Sequence, residues 1–168
     1  MRFNLIDRIV EIVPGKRIHA VKNLTLGEEY LADHFPTFPV MPGVLMLEAL
    51  VQAGAWLLRV TDDFTHSVIV LREAKGVKYG NFVQPGQQLN LTVELLEKSA
   101  QAGPTVAFKG NGEAGGVSAV SARLTLARYN LRDRDSALAA LDEQLTAHYR
   151  TLYKLLAGPK AAAPTTVS

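Results

Sequence analysis

From Pro42 the chain reads Pro-Gly-Val-Leu-Met-Leu-Glu-Ala-Leu-Val-Gln-Ala-Gly-Ala-Trp-Leu-Leu-Arg59, a helical stretch that is apolar almost all round. A helix without a wet face must be covered on every side, so the rest of the fold has to wrap this segment. Pro42 sits at its start, where proline's fixed φ and missing N–H do no harm. The apolar run from Val44 to Leu58 is 15 residues and is broken by Glu48 and Gln52. A bilayer span takes roughly 20 residues, so the run reads as a core helix and no membrane span is expected.

The chain beyond the helix supplies the wrapping. Segments 66–78, 88–99, 105–112 and 117–129 read as strands, separated by turn signals at Gly80-Asn81, Pro85-Gly86, Gly103-Pro104 and Gly115-Gly116. Apolar and polar residues alternate cleanly from Leu89 to Leu95 and from Val120 to Leu126, as in strands with one wet face. Residues 16–24, after the Pro14-Gly15 turn, predict one further strand ahead of the helix. One strand, a helix and four strands imply an α+β layer in which an antiparallel sheet curls around the helix.

From Asp133 the pattern turns helical. Leu138, Leu141, Leu145, Tyr149, Leu152 and Leu156 make one stripe, which must be buried against this chain's own sheet or a partner subunit. Asp133 or Asp135 caps the start, and Gly158-Pro159 ends it. The organisation expected is a main domain over 1–130, an amphipathic helix over 131–158 and a disordered, low-complexity tail over 159–168.

Bulk properties narrow the function. At 168 residues with 48% hydrophobic and 20% charged residues, the chain has the composition of one globular domain. It has no cysteine, which removes disulfides, thiolate nucleophiles and cysteine-ligated metals. A net charge of +2 gives no ground for a nucleic-acid partner. The N-terminus shows no long apolar run of the signal-peptide kind, so a cytoplasmic location is expected.

The chemistry concentrates between His34 and Gln52. An ionised carboxylate on an apolar helix costs several kcal/mol unless it is paired or neutralised, so Glu48 calls for a reason. The first turn of the helix leaves backbone N–H groups unpaired and carries the positive end of the dipole. Gly43, without a side chain, lets a carbonyl oxygen come close to its N–H. Gln52 is one turn beyond Glu48 on the same face, placed to hydrogen-bond it. His34 lies in a loop stiffened by Pro36, Pro39 and Pro42. A base, an acid and an oxyanion donor match the requirements of proton abstraction next to a carbonyl. The plain reading of Glu48 is a satisfied buried carboxylate. His19, His66 and His148 have no partner pattern and read as packing or surface residues.

Residues 29–52 resemble the hotdog-fold 3-hydroxyacyl-[acyl-carrier-protein] dehydratases, whose segment runs His-Phe-Pro-Gly-x-Pro-x-Met-Pro-Gly-x-x-x-x-Glu-x-x-x-Gln. His34, Phe35, Pro36, Pro39, Met41, Pro42, Gly43, Glu48 and Gln52 match it. A weaker second match covers residues 76–89. The resemblance implies a hotdog fold and loss of water from a (3R)-3-hydroxyacyl thioester, in fatty acid or related lipid or polyketide synthesis. It makes His34 the base and Glu48 the acid, with the Gly43 N–H polarising the thioester carbonyl and the Val40 carbonyl orienting the imidazole. It further implies a homodimer whose subunits share each site, or a higher assembly such as a trimer of dimers. The expected partner is an acidic acyl-carrier protein, with Arg72, Lys75 and Lys78 as docking candidates or simply a solvated strand face. No metal or cofactor is expected.

Three departures stand out. Thr37 occupies the family's usual glycine, and a positive φ there would cost a threonine about 1–2 kcal/mol. Asp33 beside His34 would favour the imidazolium. Gln87 replaces an aspartate after Pro85-Gly86. Thr37, Asp33 and the added C-terminal helix keep open a catalytically silent homologue that binds acyl chains or carrier protein or scaffolds an active paralogue, and the Pro42-Gly43 helix entrance also suits a hotdog thioesterase.

Overall fold

The computed structural model describes residues 3–96 and 103–161. The expected strand residues 97–99 and most of the expected tail lie outside these. Six strands form one antiparallel sheet: β1 (Arg8–Val13), β2 (Arg17–Asn23), β3 (Val68–Tyr79), β4 (Gln88–Leu95), β5 (Thr105–Ala114) and β6 (Val117–Tyr129). Their order is β1-β2-β4-β5-β6-β3, leaving β1 and β3 at the edges.

The sheet wraps α1 (Gly43–Thr61), as a helix of this composition demands. Leu89, Leu91 and Val93 of β4 and Leu124 and Leu126 of β6 point inward and are buried, with the polar residues between them facing out. They meet Ala49, Leu50, Ala53, Leu57 and Leu58 of α1, and each large side chain buried here contributes about 1.5–3 kcal/mol. Gly54 lets helix and sheet approach: a Cβ there would lie 3.1 Å from Leu126 Cδ1. At 19 residues α1 is longer than its apolar run suggested, and it is long and apolar enough to span a bilayer. Its burial inside the sheet accounts for that composition.

Three sequence expectations change. A sixth strand, β1, precedes the expected first one; in its Arg-Ile-Val-Glu-Ile-Val only Ile9 is fully buried, so alternation was too weak to reveal it. The third strand begins at Val68, placing His66 before it. The C-terminal helix starts later: 3-10 turns at Leu131–Asp133 and Ser136–Leu138 precede α2 (Ala139–Ala161). Asp135 caps the second turn through the Ala137 N–H, and Asp133 closes a capping box with Asn130. Gly158, at φ 63°, breaks the helix where the Gly-Pro pair said it would stop.

The second half of the α2 stripe packs on this chain itself: Leu156 is buried and Tyr149 and Leu152 are half-buried against the core, while Leu141 is exposed. Helix α2 packs on β1 and lays Tyr149 and Tyr153 on Trp56 of α1, with ring centroids 5.8 and 6.2 Å apart. Its first turn is fastened by Asp142, 1% exposed, which accepts from the Ser67 hydroxyl, the Leu131 and Arg132 N–H groups and the Arg132 guanidinium. Burial pushes this carboxyl's pKa up, but those four donors outweigh it and hold it well below the usual carboxylate range.

A depressed folded-state pKa stabilises the fold above the ordinary value of 3.8, and the contribution fades as pH falls below it. Asp142→Asn should therefore lower the melting temperature at pH 7, and the gap from wild type should close as thermal melts are taken below pH 4.

Candidate functional site

The His34 loop is shaped by one turn. The Phe38 N–H donates to the Phe35 carbonyl at 2.8 Å, with Pro36 and Thr37 as the central residues. Thr37 does not have positive φ, so the turn needs no glycine there and the expected strain is absent. The strain sits two residues earlier. Phe35 has φ 50°, unusual for a bulky residue and more so before a proline, and costs about 1–3 kcal/mol. That conformation sets the Phe35 ring edge-on to His34, centroids 4.5 Å apart. Asp33 is exposed, and no ion pair joins it to His34 among the described residues.

The loop then docks. The Met41 N–H donates to the Val83 carbonyl at 2.8 Å, and Phe38 packs edge-to-face on Phe82. Val40 is 1% exposed, but among the described residues its carbonyl makes no hydrogen bond to His34. At the helix start, the Leu45 and Met46 N–H groups bond to the Pro42 carbonyl, while those of Gly43 and Val44 have no partner among the described residues. A Cβ on Gly43 would stand 3.0 Å from the Tyr79 ring, so a larger residue would press that ring outward. Tyr79, at the end of β3, is a site neighbour that no local sequence signal marks.

Glu48 is half-buried and held by Gln52, whose Nε2 donates to Glu48 Oε1 at 3.0 Å. The same amide donates to the Phe3 carbonyl and accepts from the Leu5 N–H, both at 3.0 Å. Each hydrogen-bonding role of the Gln52 side chain thus has a partner, which fixes the amide and aims it at the carboxylate. Gln52 is a positioning residue whose full role depends on the N-terminal segment. Within the single chain no ion pair or hydrogen bond joins His34 to Glu48 among the described residues.

The docking candidates divide. Lys75 and Lys78 lie on the outer face of β3, opposite Arg123 and Ser121, whereas Arg72 falls in a bulge and lines a groove of about 400 Å³ with Glu73, Pro104, Thr105 and Thr125. Lys75 pairs with Glu73 at 3.0 Å. Cross-strand neighbours extend the basic row from Lys75 to Arg123 and Lys109, a run not evident in the sequence because it is assembled from three strands. Gln87 completes its turn by accepting from the Gln84 N–H through its own side chain.

The FabA-like domain family matches residues 1–123. The chain belongs to the hotdog-fold FabZ-type 3-hydroxyacyl-[acyl-carrier-protein] dehydratase family. Members named 3-hydroxyacyl-[acyl-carrier-protein] dehydratase FabZ are 48% identical over 101 residues in Albidiferax ferrireducens (58% of this chain, 67% of the relative) and 38% identical over 125 in Oceanobacillus iheyensis (74% and 87%). Among solved structures, the dehydratase heterocomplex ApeI:P from Xenorhabdus doucetiae is similar at TM-score 0.63, 17% identity, 81% of this chain and 90% of that one, which supports the fold. The family match stops before α2.

Because Gln52 fixes the carboxylate within the family's motif, Gln52→Ala should lower kcat by about 10²-fold with a smaller change in KM, read by steady-state kinetics. A retained melting temperature would assign the loss to misplacement of Glu48.

Proposed function

We propose that this chain dehydrates (3R)-3-hydroxyacyl-[acyl-carrier-protein] to the trans-2-enoyl thioester, as a hydro-lyase of fatty acid or related lipid or polyketide synthesis. The observation that carries the reading is Glu48, held by Gln52 on the same helix whose first turn presents the unpaired N–H of Gly43. His34 takes a proton from the carbon next to the thioester carbonyl. The carbonyl oxygen gains charge and is stabilised by the Gly43 N–H at the positive end of α1. Glu48 protonates the departing hydroxyl, the C–O bond breaks, and the electron pair left by the C–H bond closes the double bond. The proton on His34 returns to Glu48 through solvent. A cytoplasmic location accords with this family.

The separation of His34 and Glu48 in one chain supports a site shared between two subunits. The β3 edge is open, 12 residues long and carries exposed Val70, Leu71 and Tyr79, while α2 packs against the opposite edge strand. Pairing of two β3 edges gives the homodimer.

His34→Ala and Glu48→Gln should each reduce turnover by about 10²–10⁴-fold without unfolding the protein. Mixing the two inactive variants under conditions of subunit exchange should restore part of the activity, measured by mass spectrometry of the enoyl product. Wild-type rates in both single variants would sink the assignment; failure of the mixture to recover would place both groups in one subunit.

The row Lys75, Arg123 and Lys109, with Lys78 beside it, is offset in part by Glu73 on Lys75 and by Glu94 opposite Lys109, and the charge that remains suits an acidic partner. An acidic carrier protein is that partner, with Arg72 at the margin of the same face. Lys75→Glu combined with Arg123→Glu should raise KM for carrier-linked substrate several-fold and flatten its salt dependence, while leaving KM for a pantetheine-linked substrate in place.

A further inference from the structure

Strand β3 carries an extra residue shortly before the site. Lys75 pairs with Arg123 and Lys78 with Ser121, so Gly76 and Val77 together stand opposite Ala122 alone. Gly76, at φ 58°, takes the left-handed conformation that such a bulge asks of its first residue. Strand side chains alternate between faces, so an unbroken β3 would put residue 79 on the outer face with Lys75. The extra residue reverses this: Ala74 and Val77 pack on the core, Lys78 faces out, and Tyr79 turns in towards the start of α1. Gly80 then pins the backbone. Its N–H donates to the Ala119 carbonyl at 2.9 Å, and a Cβ there would lie 2.4 Å from the Ser118 carbonyl oxygen.

Tyr79 meets the helix end that holds the thioester carbonyl in the reading above. A Cβ built on Gly43 would stand 3.1, 3.0 and 3.3 Å from Tyr79 Cδ1, Cε1 and Cζ. One whole edge of the ring, up to the carbon that bears the hydroxyl, thus lies along Gly43. The Cα–Cβ direction in a helix tilts towards the N-terminus, the same end at which the first N–H groups emerge. The ring therefore flanks the Gly43 N–H, which has no partner among the described residues. Tyr79 is 51% exposed, and its hydroxyl makes no hydrogen bond among the described residues either. Packing does not account for that hydroxyl, since a phenyl ring would make the same contact with Gly43.

We propose that the Tyr79 hydroxyl is a second donor to the thioester carbonyl oxygen, beside the Gly43 N–H. The inference rests on the dehydratase reading above and adds a catalytic residue to it. When His34 removes the proton next to the carbonyl, the C–H electron pair moves towards the carbonyl and its oxygen takes up negative charge. Two donors stabilise that oxygen until the pair returns to form the double bond and expel the hydroxyl, which leaves as water with the proton of Glu48. A phenol held by the bulge before it and by Gly80 after it is already in place when the charge develops, which is what such a donor requires.

Tyr79→Phe keeps the ring and removes only the O–H. Its kcat on a (3R)-3-hydroxyacyl carrier-protein thioester should fall by about 10²-fold, with KM and melting temperature close to wild type. A merely structural role of the ring would leave this variant at the wild-type rate. In parallel, wild type and variant are incubated in deuterated water with a saturated acyl thioester, which has no hydroxyl to lose. The enolate formed there takes a deuteron back at the same carbon, and mass spectrometry should show this exchange slowed in the variant by a similar factor. Wild-type turnover by Tyr79→Phe, or a rise in KM alone, overturns the second donor and keeps the dehydratase. Exchange that the variant loses, in a protein that dehydrates nothing, removes the dehydratase and keeps the donor. Neither dehydration nor exchange by wild type overturns both.

Discussion

Enclosure of α1 is the constraint on which the remaining structure depends. The helix offers apolar side chains around most of its circumference, so the sheet has to curl around it and the leftover side has to be closed by something else. Three elements do this. The sheet takes the face of Ala49, Leu50, Ala53 and Leu57, the N-terminal segment lies across Gln52, and α2 covers Trp56 and Arg59. Glu48, in the second turn of α1, is left half-buried and is held by Gln52.

That arrangement ties catalysis to packing. The amide of Gln52 spends one donor on Glu48 and its remaining donor and its acceptor on the backbone of Phe3 and Leu5. The orientation of the Glu48 carboxylate is therefore set by an N-terminal segment nearly fifty residues away from Gln52 in sequence. The His34 loop is fixed independently, by the Phe35–Phe38 turn and the Met41–Val83 bond. Its one strained residue, Phe35, is the residue that packs on the imidazole, so the conformational cost falls where the ring has to be aimed.

Much of this was legible in the sequence, for identifiable reasons. The central helix, four of the strands and the His34–Glu48 segment carry strong local signals: a Pro-Gly start, period-two alternation and a dense motif. Strand β6 spans Val117–Tyr129 as alternation and turn chemistry said. What escaped depends on partners distant in sequence. β1 is a strand because β2 pairs with it, since its own residues alternate poorly. The 3-10 turn at Leu131–Asp133 is tied down by Asp142, whose acceptor role becomes visible only when Ser67, Leu131 and Arg132 converge on it. Tyr79 reaches Gly43 through the register of β3 against β6. Thr37 misled in the other direction: a family glycine suggests positive φ, but Pro36 at the second position of the turn permits a form that threonine adopts freely.

The two helices together explain why the extension is more than added mass. Without α2, Trp56 and Arg59 would lose the aromatic cover that Tyr149 and Tyr153 give them. Burial pulls the Arg59 pKa down, with Tyr149 opposing that shift, yet a guanidinium stays protonated at neutral pH. Stacking between two aromatic rings recovers part of the desolvation cost without supplying a counter-ion. A hydrophobic residue at position 59 would fill the same space at lower cost, so stability alone does not select arginine there. Tyr149 and Trp56 hold that guanidinium between the two helices.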